Sequence, residues 1–244
     1  MRKLLISGLF VSIGLFLGRI TGFLREAYIA FKFGASEQTD LIIVFLSTPD
    51  VLVNLLVGGA LGMALIPEFK SLTEQKAKLL YQQVFMFLFF VFLILAGIGA
   101  LYSPQVLKLF APGLSDISIQ NYSRDFSITF IAIPLTVAAG VTTAYLHYNN
   151  KFIVASIGTL IFNLVIIASL YFASYFYESN VLFIISIGVC IAAFIRWLSQ
   201  SVITKTPPIK MSLSRHLISI SLIRRYFYCV FTGGVIFLIP VIAR

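Results

Sequence analysis

Long apolar stretches recur along the whole chain, and each of them is long enough to cross a lipid bilayer as a helix. A hydrocarbon core of about 30 Å is spanned by about 20 helical residues. Charged residues make up only 11% of the chain and hydrophobic residues 59%, which excludes an ordinary soluble domain. The sequence therefore predicts an all-α integral membrane protein. Six complete spans are predicted, followed by the start of a seventh, at Leu4–Leu24, Leu41–Ile66, Leu80–Tyr102, Phe126–Tyr145, Phe152–Ala173, Val181–Ile203 and Tyr226–Ala243.

The predicted spans divide the chain into three parts. Residues 1–203 form a six-helix transporter lobe, and residues 204–225 form a basic cytoplasmic linker. Apolar positions from Ser212 to Ile223 in this linker fit an amphipathic helix on the anionic inner leaflet. Residues 226–244 are interpreted as the truncated first helix of a missing second lobe, so the chain is expected to be a fragment or a truncated reading frame.

The sequence also predicts the character of two connections between the spans. The stretch 71–83, SLTEQKAKLLYQQ, is expected to be a short charged connection that leads into the third span. The outer segment 103–125 contains prolines and glycine that are expected to break helix.

Lysines and arginines are concentrated on one side of the predicted topology. If the N-terminus is cytoplasmic, the outer loops contain only Lys32, Lys108 and Arg124. The positive-inside rule then places the N-terminus in the cytoplasm. Topology explains the net charge of +9, so no nucleic-acid partner is expected. The inner basic residues are Arg2, Lys3, Lys70, Lys76, Lys78, Lys151, Arg196, Lys205, Lys210, Arg215, Arg224 and Arg225.

Arg19 is the most unusual residue of the first span. A charge near the centre of a membrane helix costs about 2.5–3.5 kcal/mol on insertion scales, so such residues are candidates for function. Positions 8, 12, 15, 19, 22 and 26 share one helix face, which includes Ser12, Gly22 and Glu26. This polar stripe is expected to point away from lipid. For Arg25, near the outer end, snorkelling to the headgroups is an equally good explanation.

The second span repeats this pattern. One face of this helix is expected to carry Ser47, Asp50, Asn54, Gly58 and Gly62. Pro49 lies within the same helix and favours a kink there. Two readings of Asp50 remain open. It is either a functional carboxylate that pairs with an arginine of the first helix or carries a proton, or part of a buried ion pair that only fixes packing.

Weaker polar patterns occur in later spans. Small residues at Gly14 and Gly18 predict close helix packing. Hydroxyl and amide groups of the fourth and fifth spans are expected to form interhelical hydrogen bonds rather than ligand contacts. They are Thr129, Thr136, Thr143, Ser156, Thr159 and Asn163. No catalytic, metal-binding or phosphate-loop constellation is found, so neither an enzyme, a metal site nor a cofactor is expected.

Several spaced elements in residues 18–69 resemble one membrane protein family. The pattern comprises R-x-x-G-x-x-R-[DE], then F-G-A, then T-D, then a second helix with proline, G-A and a later proline. It stands here at Arg19, Gly22, Arg25, Glu26, Phe33, Gly34, Ala35, Thr39, Asp40, Pro49, Gly59, Ala60 and Pro67. The region is similar to the N-terminal part of the MurJ (MviN) lipid II flippase family, within the multidrug/oligosaccharidyl-lipid/polysaccharide exporter superfamily.

The resemblance implies a fold of two six-helix lobes around a cavity, followed by two further helices, in the bacterial inner membrane. It implies flipping of lipid II, an undecaprenyl-pyrophosphate disaccharide-pentapeptide, for peptidoglycan synthesis. Arg19 and Arg25 match the family's first-helix arginines, and Asp40 matches the aspartate that opens its second helix. A family arginine is replaced by Val53, and the second lobe, with a functional arginine of its own, is missing.

Matched residues suggest a mechanism of alternating access. Arg19 and Arg25 are expected to bind the pyrophosphate, and Asp40 to form a gate ion pair, with Glu26 and Asp50 as further charge partners. Ser12, Gly22, Ser47 and Asn54 are expected to line the cavity. A separate second half or a homodimer would complete it. The alternatives are an inactive remnant, a non-transporting membrane interaction subunit, or a related polysaccharide-lipid exporter.

Overall fold

In the computed structural model, the residues that the structure describes are 2–56, 58–176, 180–204, 218, 220 and 222–230. Helices fill most of these ranges, and no strand occurs within them. The helices are α1 (Arg2–Phe33), α2 (Glu37–Leu56), α3 (Gly58–Ser71), α4 (Glu74–Leu101), α5 (Ser103–Phe110), α6 (Asp116–Thr129), α7 (Ala132–Tyr148), α8 (Phe152–Phe176) and α9 (Val181–Thr204).

Four stretches of helix within the described ranges are long and apolar enough to cross a membrane. They are Glu74–Leu101, Asp116–Tyr148, Phe152–Tyr175 and Val181–Thr204. These stretches contain most of the third to sixth predicted spans. The first predicted span lies within α1, and the second is divided between α2 and α3, on either side of Val57, which lies outside the described residues.

The charged stretch before the third span is helical, which corrects the expectation of a connection over residues 71–83. Helix α4 begins at Glu74, after Thr73 at its N-cap position. Glutamate, glutamine, lysine, alanine and leucine all favour helix, and a glutamate in the first turn interacts favourably with the helix dipole. Hydropathy detects only the apolar part of such a helix. The span was therefore predicted six residues too short at this end.

The fourth span is longer than predicted and is interrupted by a turn. Helix α6 starts at Asp116, where the Ser115 side chain accepts a hydrogen bond from the Ser118 amide, and α7 begins at Ala132. Pro134 has no N–H with which to bond the Phe130 carbonyl, and the Ile133 amide donates to that carbonyl instead, at 3.0 Å. The missing donor explains why the regular helical pattern is broken here.

Segment 103–125 is broken only in part, because residues 111–115, with Pro112 and Gly113, are outside helix and the rest of the segment is helical. Short helix α5 occupies Ser103–Phe110, with Pro104 in its first turn, where a proline is tolerated. A loop over residues 111–115 then precedes α6. The helix buries Leu107 and leaves Leu109 exposed, so its two faces differ in exposure.

Helices α7 and α9 lie at the centre of the packing. Helix α9 contacts α8, α7, α6 and α2, whereas α1 packs mainly against α8. An aromatic cluster joins α3, α4 and α7: the Tyr81 and Tyr145 rings stack with centroids 4.4 Å apart, and Phe69 meets Tyr145 edge to face at 5.6 Å. This cluster fixes α4 against α7, while α1 depends on α8 for its position.

The predicted linker and seventh span are described only in part. Residues 222–230 are helical, so helix begins at least four residues before the predicted boundary at Tyr226. Arg225 Nη1 lies 3.2 Å from Glu68 Oε2, and this ion pair connects the segment to α3. Residues 205–217 and 231–244, which hold most of the predicted amphipathic linker and seventh span, lie outside the described ranges.

Candidate functional site

Three glycines of α1, spaced four residues apart, lie against α8. They are Gly14, Gly18 and Gly22, which face Ser156, Thr159 and Asn163, respectively. A methyl group on Gly14 would collide with the Ser156 side chain, and one on Gly18 would meet Thr159 at 3.5 Å. The prediction of close packing at Gly14 and Gly18 is therefore confirmed. Gly22 extends the same contact, because an added methyl group there would lie 3.5 Å from Asn163 Nδ2.

Arg25 lies at the Gly22 end of this interface. Its Nη1 donates a hydrogen bond to Asn163 Oδ1 at 3.2 Å, and its Nη2 forms an ion pair with Glu26 Oε1 at 2.6 Å. Asn163 Nδ2 in turn donates to the Gly18 carbonyl at 3.1 Å. The Arg25 side chain is only 18% exposed. It is thus held in one orientation by a carboxylate of its own helix and an amide of α8.

Arg19 differs from Arg25 in its surroundings. The residue is exposed, and it forms no hydrogen bond or ion pair with any residue that the structure describes. Ser12, on the same predicted stripe, is exposed as well, and Glu26 is exposed beside Arg25. This side of α1 therefore presents a free guanidinium, while the Arg25 guanidinium is bound at the α1–α8 interface.

Helix α2 contributes two of the predicted polar residues to the lobe interior. Ser47 is half-buried and donates to the Val44 carbonyl of its own helix at 3.5 Å. Asp50 is half-buried and interacts electrostatically with Arg196 of α9 and with Arg25 of α1. The side chain of Asn54 lies outside the described residues. Asp50 is therefore the acidic group that faces both arginines.

Asp40 lies apart from this group, at the first turn of α2. It is exposed and lines a cavity of about 580 Å³ together with Glu37. The opposite wall is formed by residues of α5 and of the α5–α6 loop, among them Phe110, Leu114 and Ser115. All of the lining residues are acidic, neutral or apolar, so this cavity has an acidic rim.

Arg196 was not among the predicted site residues, because it was counted with the basic residues of the inner side. The structure places Arg196 inside α9 and near Asp50. Its Nε atom is buried and has no hydrogen-bond partner within the described part of the chain. The signal was present in IAAFIRWLSQ, where an arginine interrupts an apolar run as Arg19 does.

The hydrogen bonds of the fourth and fifth spans agree only in part with the prediction that they join helices. Thr143 donates to Gln200 Oε1 of α9 at 3.3 Å, and Asn163 bonds α1, as predicted. Thr129, Thr136 and Ser156 instead donate to carbonyls three or four residues earlier in their own helices. Serine and threonine hydroxyls in helices commonly bond in this way. Of the six residues predicted to join helices, Thr143 and Asn163 form interhelical hydrogen bonds within the described part of the chain.

Comparison with known proteins identifies the family. The chain matches the family model described as lipid II flippase MurJ over residues 29–238. The chain belongs to this family. Within it, the probable lipid II flippase MurJ of Aquifex aeolicus is 27% identical over 172 residues, covering 70% of this chain and 34% of that protein. The lipid II flippase MurJ of Burkholderia cenocepacia is 29% identical over 165 residues, covering 65% and 32%.

These matches show how much of a MurJ protein the chain represents. It spans about a third of the length of the curated MurJ relatives it matches. A solved lipid II flippase MurJ in an inward closed conformation aligns with a TM-score of 0.72 at 20% identity, over 94% of this chain and 48% of that one. The fold is therefore that of one part of a MurJ transporter. Both the family and the predicted all-α membrane fold are confirmed, and the chain is an integral inner-membrane protein.

Proposed function

We propose that this chain is the first lobe of a lipid II flippase and that its α1 arginines bind the pyrophosphate of the lipid. The observation that carries the proposal is the setting of Arg25, which Asn163 and Glu26 hold at the α1–α8 interface with 18% of its side chain exposed. A guanidinium oriented in this way needs little rearrangement to bind an anion. Membership of the MurJ family supports lipid II as the substrate.

The chemistry of the two arginines suits a pyrophosphate. A guanidinium presents forked N–H donors that match phosphate oxygens and keeps its charge at any physiological pH. Arg19 is exposed on the same helix, six residues before Arg25. In this proposal Arg19 makes the first contact and Arg25 the second, while the polyprenyl tail stays in lipid and the headgroup crosses in a water-filled cavity.

Carboxylates regulate the arginines in this proposal. Glu26 and Asp50 neutralise Arg25 when the substrate is absent, and Asp40 closes the outer side by pairing with an arginine. Ser12, Gly22 and Ser47 line the cavity in this proposal. With the N-terminus in the cytoplasm, the membrane potential biases each moving charge by about 2.3 kcal/mol per 100 mV.

Transport requires a partner for this lobe. Alternating access works by rocking two lobes around a shared site. The chain aligns with 48% of the solved MurJ structure, and in this proposal a second lobe, from another half of the transporter or from a second copy of the chain, closes the cavity. We propose a separate second half or a homodimer as that partner, and transport rather than catalysis as the activity.

Complementation tests this proposal. The chain is expressed alone and beside a separate second lobe in a bacterium depleted of its own lipid II flippase. We expect rescue with the second lobe, and loss of that rescue in Arg25→Ala and Arg19→Ala. Arg124→Ala, which removes an exposed arginine of α6, is the matched control and should retain rescue. Absence of rescue under both conditions, with normal membrane insertion, would favour an inactive remnant or an interaction subunit.

A further inference from the structure

Unpartnered buried polar atoms occur on α2 and α9. Four buried side-chain atoms in the described part of the chain have no hydrogen-bond partner: Thr48 Oγ1 on α2, and Arg196 Nε, Trp197 Nε1 and Gln200 Nε2 on α9. Most buried polar atoms in proteins are hydrogen-bonded, and each exception requires an explanation. All three atoms on α9 are N–H donors, but Trp197 packs against Phe85 of α4, so Arg196 Nε and Gln200 Nε2 are the two that share one face of the helix. An acceptor-rich ligand would satisfy these two donors.

The absence of a side chain at Gly158 of α8 leaves space for the side chains of Arg196 and Gln200. Arg196 and Gln200 are four residues apart and share one face of α9. That face lies over Gly158 of α8, where a methyl group would come within 2.5 Å of Gln200 Nε2 and 3.5 Å of Arg196 Cγ. Thr143 donates to Gln200 Oε1 at 3.3 Å, which uses the acceptor of the amide and leaves its donor unpaired.

Asp50 connects this group to Arg25. Its carboxylate interacts electrostatically with both Arg196 and Arg25, although no N···O distance of 4 Å or less joins it to either arginine within the described ranges. The guanidinium groups of Arg25 on α1 and Arg196 on α9 therefore both interact with the charge of Asp50. An anion placed beside Asp50 would interact with both of them.

We propose that Arg196 is a further anion-binding residue of the site, and that it binds the same pyrophosphate as Arg25 in place of Asp50. The inference rests on the proposed function for its ligand. Asp50 balances the two arginines when no substrate is bound, and it repels the incoming anion. Gln200 supplies a neutral donor next to Arg196. The site then offers donors from α1 and α9, which enclose the anion from two sides of the lobe.

Binding of a short prenyl pyrophosphate tests the proposal. The 244-residue chain is placed in lipid nanodiscs and titrated with farnesyl pyrophosphate by calorimetry, with uncharged farnesol as the matched probe. Trp197 is the sole tryptophan and adjoins Arg196, so its fluorescence reports binding at this place. We expect Arg196→Ala to weaken binding at least tenfold and Arg196→Lys to weaken it less. Asp50→Asn, which removes the competing charge at constant size, should strengthen binding several-fold.

The outcomes separate the two proposals. A gain of affinity in Asp50→Asn cannot result from misfolding, and together with a loss in Arg196→Ala it supports the inference. Wild-type affinity in Arg196→Ala, combined with a loss in Arg25→Ala, would overturn the role of Arg196 and leave the proposed function intact. A loss of affinity in Asp50→Asn would also overturn the inference. If farnesyl pyrophosphate binds no better than farnesol, both proposals fail. Arg124→Ala is the control and should bind as wild type.

Discussion

Arg25 Nη1 donates a hydrogen bond to Asn163 Oδ1 across the α1–α8 interface, at 3.2 Å and over a sequence separation of 138 residues. The amide nitrogen of the same Asn163 side chain donates to the Gly18 carbonyl at 3.1 Å. One asparagine therefore binds both the backbone of α1 and its arginine. Positioning of Arg25 and packing of α1 on α8 are consequences of the same contact.

Replacement of Asn163 should affect both properties. Asn163→Ala removes the hydrogen bonds to Gly18 and Arg25, and an interhelical hydrogen bond in a membrane protein contributes about 0.6 kcal/mol, at most about 1.7 kcal/mol. We expect a small loss of thermal stability and a several-fold loss of farnesyl pyrophosphate affinity in nanodiscs. Asn121→Ala, an exposed asparagine of α6, is the control. Unchanged affinity in Asn163→Ala would show that the asparagine serves packing alone.

Removal of the carboxylate beside Arg25 should have the opposite effect. Glu26 Oε1 lies 2.6 Å from Arg25 Nη2, and its side chain is 51% exposed. Glu26→Gln keeps the shape and removes the charge that competes with a bound phosphate. We expect farnesyl pyrophosphate to bind several-fold more tightly at low salt, with a smaller gain at high salt because of screening. Glu74→Gln at the start of α4 should leave the affinity unchanged, and equal gains in both variants would indicate a nonspecific effect of net charge.

Two glycines of α4 offer a matched pair for packing. A methyl group on Gly99 would collide with the Phe130 ring, whereas one on Gly97 would meet nothing within 4 Å. Overpacking of a filled interior costs about 1–3 kcal/mol, and alanine is a better helix former than glycine by roughly 1 kcal/mol. We expect Gly99→Ala to lower the melting temperature and Gly97→Ala to keep or raise it. Equal effects would contradict the contact between α4 and the α6–α7 turn.

The glycine contact between α1 and α8 permits a rescue experiment. Gly14→Ala places a methyl group against the Ser156 hydroxyl, and Ser156→Ala removes that hydroxyl. We expect Gly14→Ala alone to destabilise the lobe and the double variant to recover part of the lost stability. The free-energy changes of substitutions at residues in contact are generally not additive. Thermal unfolding in detergent measures the coupling. Strict additivity of the two substitutions would show that α1 does not approach α8 at Gly14.

Hydropathy located most of the spanning helices, because the bilayer imposes the same requirement on each of them. Helix α8 was predicted over Phe152–Ala173 and runs to Phe176, and α9 was predicted over Val181–Ile203 and runs to Thr204. The helix ends that lie outside the apolar segments were less predictable. The helix before Leu80 is charged, and the turn near Pro134 depends on hydrogen bonds that hydropathy does not measure.

Arg19, Arg25 and Asp50 were recognisable from the residues alone, since an intramembrane charge has a high cost wherever its helix packs. Arg196 also lies within an apolar run but was counted with the inner basic residues. Its interaction with Asp50 depends on the packing of α9 against α2, which the sequence does not show. The pairing of Arg25 with Asn163 likewise depends on how α1 and α8 meet. The free-energy cost of a charged residue in an apolar segment depends on that segment alone, so it can be recognised in the sequence. Which residue it pairs with depends on distances between helices, and these are set by the packing of the whole lobe.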